Sequence, residues 1–285
     1  MISHLHRSGA LWLYETEKGV DSDTPDWELR RAHHVDCEYL SAGQARNLEP
    51  QLGPLVCCAM LTPQWSYLSN PEHLLKALRE QLLRRGVQII TGNVRNVRSL
   101  SASSLSITVD AQTVHADYGV VAAGAWSANI ANLFGDRVLL ESERGYNATL
   151  PDSGLALGRQ LIFAERKFVA TPLDCGLRIG GGAEFGGLHA APNFNRAEVL
   201  VGLARRYLPN LRSTGATLWA GHRPTTPDSL PVIGRASRCP NVFYAFGHGH
   251  LGLTQAATTA RLICELILSE SPSINMQPYS VDRFN

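Results

Sequence analysis

Three glycines, Gly247, Gly249 and Gly252, fall within six residues, between an apolar run from Val242 to Phe246 and a run of helical character from Gln255 to Leu268. Without Cβ atoms such a turn lets backbone approach a ligand closely, and the helix start offers unpaired N–H groups at the positive end of its dipole. A phosphate or an electron-rich ring carbonyl suits such a place. A turn kept only for packing is the alternative. Either way, a strand that feeds a helix points to an α/β chain.

The rest of the chain fits that class. Asn70 can cap a helix with Pro71 at its first position, and Leu74, Leu75, Leu78, Leu82 and Leu83 recur at helical spacing up to Gly86. Val87 to Ile90 reads as a strand, Leu105 to Val109 as a half-exposed strand, and Tyr118 to Ala122 as a buried strand ending in Ala123-Gly124. Helix, strand, hairpin and strand in that order are the rhythm of a nucleotide-binding half-domain. Nearer the N-terminus, Gly9 to Tyr14 reads as a strand, Asp21 to Asp26 as a turn or loop, and Ser41 to Leu48 as a short capped helix. Between Arg137 and Leu218 the texture changes. Tyr146 to Leu150, Gln160 to Ala164, Phe168 to Thr171 and Leu177 to Gly180 read as strands of a mostly antiparallel sheet. Asn195 to Leu208 follows as a helix with Val199, Leu200, Leu203 and Tyr207 on one face.

Charge narrows the partners. A formal net charge of +1 gives no global bias toward nucleic acid or an anionic membrane, so a small molecule is the expected partner. The 6 cysteines form no C-x-x-C pair, and adjacent Cys57 and Cys58 lack metal-ligand spacing, so no metal is expected. A reducing cytoplasm is the expected compartment, with association at the cytoplasmic face of the membrane left open. Met1 to Ala10 lacks the apolar core of a signal peptide, and no run reaches the length of a membrane span.

Gly221-His-Arg-Pro-Thr-Thr-Pro-Asp-Ser-Leu-Pro-Val-Ile-Gly234 sets an arginine, Arg223, in backbone stiffened by prolines. A guanidinium held that way can grip a substrate carboxylate bidentately. Pairing with a structural acid such as Asp228 is the other reading.

That segment resembles the FAD-dependent oxidoreductases of the D-amino-acid oxidase superfamily, of the D-amino-acid dehydrogenase small-subunit type. So do the block from Phe243 to Ile267, Val120 to Ile130, and Arg178 to Leu211. The resemblance implies a partial, Rossmann-like FAD-binding domain interleaved with a mostly antiparallel β-sheet substrate domain. Residues 1–65 and 131–217 would belong to the substrate domain, and 66–130 and 218–285 to the FAD domain. It implies FAD as cofactor, with Gly247, His248, Gly249, Leu251, Gly252 and Thr254 facing the flavin, Val94 near the adenine, and Ala123 and Gly124 approaching the dinucleotide. Arg223 would anchor the substrate carboxylate, and Tyr146 would line the pocket unless it is a core residue. The implied reaction is oxidation of a small amine or amino acid, a D-amino acid first among them, by hydride transfer from the α-carbon to flavin N5. The product is an imine, and electrons pass to a quinone or another acceptor. Hydride transfer from a neutral amine needs no side-chain base, so no catalytic side chain is expected, and His250 has no assigned role.

The superfamily pattern opens with a strand leading into G-x-G-x-x-G and a later ribose-binding acid. No such element occurs in residues 1–60. Relative to that pattern, about 120 residues are expected to be lacking at the front. Completion of the FAD domain by an upstream segment or another chain, or a non-catalytic remnant that binds no FAD, are the readings this leaves.

Overall fold

Ala10–Tyr14 forms a strand because Leu11 and Leu13 alternate onto one apolar face, and both are fully buried. It belongs to a sheet of eight strands in a computed structural model that describes His4 to Phe284. Met1 to Ser3 and Asn285, the outer ends of the expected first and last segments, lie outside the described residues. The strand order is Thr217–Thr225, Glu141–Leu150, Gly176–Phe185, Phe168–Leu173, Gln160–Phe163, Ala10–Tyr14, Cys58–Thr62, Glu38–Ser41. Phe168–Leu173 and Cys58–Thr62 each pair antiparallel with both neighbours, while Gln160–Phe163 runs parallel to Ala10–Tyr14. The chain divides into two compact units. One comprises Met1–Gln88, Gly145–Ala183 and Pro192–Ala220; the other comprises Ile89–Arg144, Glu184–Ala191 and Gly221–Asn285.

In the first unit the core lies where the helix Asn195–Tyr207 covers the sheet with Leu200, Val201, Ala204 and Tyr207. Phe163 and Phe168 stack there at 4.1 Å, with Tyr207 tilted against Phe163 at 4.6 Å. The expected face is rotated by one residue. Val199 is exposed, because the wheel holds two adjacent apolar stripes and only packing chooses between them.

Asp21 to Asp26 is not a loop: it is helical on either side of a single turn residue, Asp23. Thr16 caps the helix Glu17–Ser22 by accepting from Gly19 N–H at 3.1 Å, and Pro25 sits in the first turn of the helix Thr24–Ala32. The polar string is therefore the end of one helix and the start of the next. Ser41 and Gln44 make a capping box for the helix Ala42–Leu48, as the pattern S-x-x-Q requires. Pro71–Arg84 is a helix capped by Asn70, yet it buries none of its residues, and Leu75, Leu78, Leu82 and Leu83 face solvent. Val87 to Ile90 forms no strand, because no neighbouring strand supplies its hydrogen bonds, and Val87, Ile89 and Ile90 are exposed.

Glu15 in this unit accepts from Arg166 Nε and Nη2 at 2.6 and 2.8 Å and from the Tyr207 hydroxyl. The Arg166 hydrogen bond, ahead of an opposing desolvation effect, holds the Glu15 carboxyl down at about 2 from an ordinary 4.5. A depressed carboxyl stabilises the fold above its unfolded value and loses that contribution as pH falls. The stability gap between the native chain and Glu15→Gln should therefore be full at pH 7 and shrink between about 4.5 and about 2. Denaturant midpoints measured across that window check this. A gap independent of pH removes Glu15 from the acid response.

The second unit holds a sheet of Val232–Arg235, Val242–Phe246 and Gly119–Val121, the last two parallel. It also holds the antiparallel meander Val94–Ser101, Ser104–Val109 and Gln112–Ala116. Leu105, Val121, Val242 and Phe246 form one core, and the helix Gly252–Ile267 lays Leu262 and Ile263 onto Ile233 and Phe243. Among the described residues Gly119–Val121 pairs only with Val242–Phe246, so its other edge carries no strand. No helix of the described residues is long and apolar enough to cross a membrane.

Candidate active site

The strand Val242–Phe246 ends in the turn that begins with Gly247. At φ +83° a side chain is strained, and an added Cβ would lie 3.2 Å from Thr226 Cγ2 and 3.4 Å from Val232 N. Glycine is required there by both conformation and space. A single 3-10 turn, Gly249–Leu251, then leads into the helix Gly252–Ile267. No side chain caps this helix, and Leu251 and Leu253 are exposed with Thr254 beside them. First-turn N–H groups with no side-chain acceptor, flanked by exposed leucines, suit the carbonyl edge of a flat heteroaromatic ring.

The two histidines of the turn part company. His248 Nε2 lies 2.9 Å from Thr259 Oγ1, and burial lowers its pKa, so the ring is neutral at neutral pH and ties the turn to the helix. His250, 60% exposed, places Nε2 2.8 Å from Glu143 Oε1.

Glu143 is the centre of this cluster. It stands on Glu141–Leu150, the sheet neighbour of Thr217–Thr225, which carries Arg223 and Thr225. Only 10% of its side chain is exposed, and it accepts from Arg223 Nη1 at 2.9 Å, from Thr225 Oγ1 at 3.2 Å and from His250. Arg223 is 23% exposed, so its guanidinium remains within reach of a ligand. The acid that meets Arg223 is therefore Glu143. Asp228, the partner named from sequence proximity, is held instead by Arg283 Nε at 2.7 Å, which keeps its carboxyl below the usual range against the opposing effect of burial. Next to Glu143, Ser142 Oγ lies 2.6 Å from His222 Nδ1, and Trp126 meets the His222 ring edge-on at 5.3 Å. Burial, then the charge of Arg144, lowers the His222 pKa.

Val94 and Ala123 come together on an apolar pocket of about 340 Å³, with Val97, Ile107, Val120 and Phe134 among its other walls. Gly124 follows at φ +55° with nothing within 4 Å of an added Cβ, so the backbone is open to close approach from that side. The donor set of the turn, the open glycine and the apolar pocket fit the parts of a flavin dinucleotide: a ring with carbonyls, a charged linker and the flat faces of an adenine. Tyr146 lies in the first unit, 1% exposed, with its hydroxyl accepting from Asn193 N–H at 3.0 Å and Phe194 edge-on at 6.4 Å. That environment is one of packing. Glu143, Thr225, Ser142 and His222 were not among the residues singled out from sequence. The strand expected from Tyr146 to Leu150 begins at Glu141 instead, so the stretch that carries Ser142 and Glu143 lay outside it.

The profile of the family described as DAO, FAD dependent oxidoreductase, matches residues 2–266. The chain is 31% identical over 284 residues to a D-amino-acid oxidase of Bradyrhizobium diazoefficiens, covering 98% of this chain and 67% of that protein. It is 29% identical over 275 residues to D-amino acid dehydrogenase 3 of Mesorhizobium japonicum, covering 93% and 66%. It thus spans about two thirds of the length of these curated relatives. Glycine oxidase from Geobacillus kaustophilus superposes with a TM-score of 0.87 at 23% identity, over 98% of this chain and 75% of that one, which gives the same mixed α/β fold. The cofactor of this family is FAD. With residues 2–266 matched by that family's profile, the chain belongs to the DAO family of FAD dependent oxidoreductases.

Proposed function

We propose that this chain carries the flavin-facing and substrate-reading parts of an enzyme that oxidises a small amine or amino acid, with a D-amino acid as the leading substrate. The observation that supports it most is the placing of Arg223, Glu143 and His250 together in the unit that carries the uncapped helix Gly252–Ile267. The names of the two curated relatives favour the D-amino-acid class. Bound FAD supplies a two-electron acceptor that takes the α-hydrogen as hydride. Everything else is positioning and electrostatics by the chain. The first-turn N–H groups of Gly252–Ile267 would hold the carbonyl edge of the flavin and offset negative charge there, and Gly247, His248, Gly249, Leu251 and Thr254 would shape the approach. Val94, Ala123 and Gly124 take the dinucleotide side. Arg223 orients the substrate through its carboxylate, and Glu143 holds the guanidinium in place through Nη1 beforehand. The imine product is released to water, and a quinone or another carrier reoxidises the system.

In the second unit, the edge of Gly119–Val121 that carries no strand among the described residues and the apolar pocket beside Val120 support completion of the FAD domain by a further segment. That segment would be a strand and helix joined by G-x-G-x-x-G, from upstream or from another chain. The test is a visible spectrum of the purified chain with FAD, alone and co-expressed with such a segment taken from a relative. The expected result is a flavin spectrum that becomes tight-binding with the segment and bleaches on adding a D-amino acid under anaerobic conditions. A folded protein that stays colourless in both states overturns the proposal in favour of a non-catalytic remnant.

A further inference from the structure

Tyr14, the last residue of Ala10–Tyr14, lies opposite Cys58, the first residue of the antiparallel strand Cys58–Thr62. Cys57 N–H donates to the Tyr14 carbonyl at 2.9 Å, which fixes the backbone just ahead of that strand. The chain leaving Tyr14 turns at once into the helix Glu17–Ser22, so the first residue of that helix returns beside the two cysteines. On the other flank, Glu38–Ser41 pairs with Cys58–Thr62 and brings Tyr39, whose hydroxyl donates to Glu17 Oε1 at 2.8 Å. A Glu17 carboxylate oxygen, Cys57 Sγ and Cys58 Sγ all lie within 4.8 Å of one another, and the Cys57 thiol donates to Glu17 Oε1 at 3.7 Å. Adjacent residues inside a strand point to opposite faces, but Cys57 precedes the strand and escapes that alternation.

We propose that Glu17, Cys57 and Cys58 form a binding site for a thiophilic divalent cation of the zinc class, with water as the fourth ligand. Zinc bonds of about 2.3 Å to sulfur and about 2.0 Å to oxygen set ligand atoms roughly 3.5 to 3.8 Å apart in a tetrahedron, so a closure of about 1 Å by side-chain rotation completes the site. Two sulfurs select zinc or cadmium over magnesium or calcium, which prefer all-oxygen sets. On binding, each thiol releases its proton to solvent and its sulfur gives a lone pair to the cation, with no change of oxidation state. Tyr39 plays the orienting part that outer hydrogen-bond partners play at metal sites. Glu17 is exposed, which leaves the fourth position open to water. All these residues belong to the first unit, and the flavin-facing turn belongs to the second. The site therefore pins a helix to two strands and does not depend on the oxidoreductase reading.

The test uses the whole chain, reduced with a non-thiol reductant and stripped with chelator. Cadmium titration should produce a thiolate-to-cadmium ultraviolet band that saturates at one ion per chain, and zinc should displace it. Glu17→Gln, a change at an exposed carboxylate, should weaken zinc at least about tenfold in competition with a chromogenic chelator, and Tyr39→Phe by about tenfold. Cys57→Ser should weaken it further and diminish the band, while Cys175→Ser, at an exposed thiol elsewhere, should change neither. Absence of a band, unchanged affinity in Glu17→Gln or Cys57→Ser, or loss of the band in Cys175→Ser overturns the site. Because Glu17→Gln alters an exposed side chain, that arm holds even if Cys57→Ser misfolds.

Discussion

Replacing Arg223 with alanine should weaken binding of carboxylate-bearing substrates by roughly 10- to 100-fold, the worth of one charge-assisted contact of about 1.5 to 3 kcal/mol. The same change should destabilise the second unit. Glu143, with 10% of its side chain exposed, would keep only Thr225 and His250 as partners, and a carboxylate stripped of its cation in such a place costs up to about 3 kcal/mol. The two effects separate by design. Arg223→Ala combined with Glu143→Gln should recover much of the stability and none of the affinity, because the amide removes the stranded charge without restoring a carboxylate anchor. Arg223→Lys keeps the charge and loses the fork, so it should fall between. KM for a D-amino acid in the FAD-loaded, completed protein and denaturant unfolding of the chain are the two measurements. An unchanged KM in Arg223→Ala removes the residue from substrate binding, whatever happens to stability.

The largest expected loss of stability follows Arg144→Ala. Arg144 is 3% exposed and donates to the Ala190 carbonyl at 2.6 Å, the Gly187 carbonyl at 3.4 Å and Glu184 Oε2 at 3.3 Å. It gathers the segment Glu184–Ala191 of the second unit around one guanidinium. Its removal deletes three hydrogen bonds made by a guanidinium that is itself buried, to the Ala190 and Gly187 carbonyls and to Glu184, together about 3 to 5 kcal/mol. Arg144→Lys presents one point charge where three acceptors need a fork, so it should recover less than half of that. Denaturant unfolding gives the magnitude, and amide exchange across residues 184–191 gives the place. Unfolding within about 0.5 kcal/mol of the native chain, the range of neutral surface changes, would show that the segment is held by something else.

Legibility followed distance along the chain. The Ser41 capping box, the Asn70 cap with Pro71 and the glycine turn after Phe246 could all be read, because each depends on residues within about one helical turn of each other. Asp21 to Asp26 was misread for the same local reason. Two abutting helix ends and a loop share the same polar residues, and the Thr16 cap that decides between them lies outside the string. The leucines of Pro71–Arg84 show the converse case. Their spacing encodes a helix, but a period says only that a face is apolar, not that anything within these residues covers it.

The candidate site divides along the same line. Arg223 in its proline-stiffened strand and the turn from Gly247 to Gly252 could be named from sequence, since their chemistry lies in residue type and immediate neighbours. Glu143 could not, because it stands 80 positions from Arg223 and 107 from His250, and only the adjacency of two strands and a turn makes it their shared acceptor. Glu17 and Cys57, 40 positions apart, meet for a similar reason, at the point where one strand ends beside the start of its antiparallel neighbour. By itself the sequence determined the periods, the caps, the glycine turn and, through four ordered blocks, the family. Tertiary structure alone decided which charges meet and which thiols share a carboxylate. Side-chain chemistry acts over a few ångströms, and only strand pairing brings residues so far apart in sequence within that range.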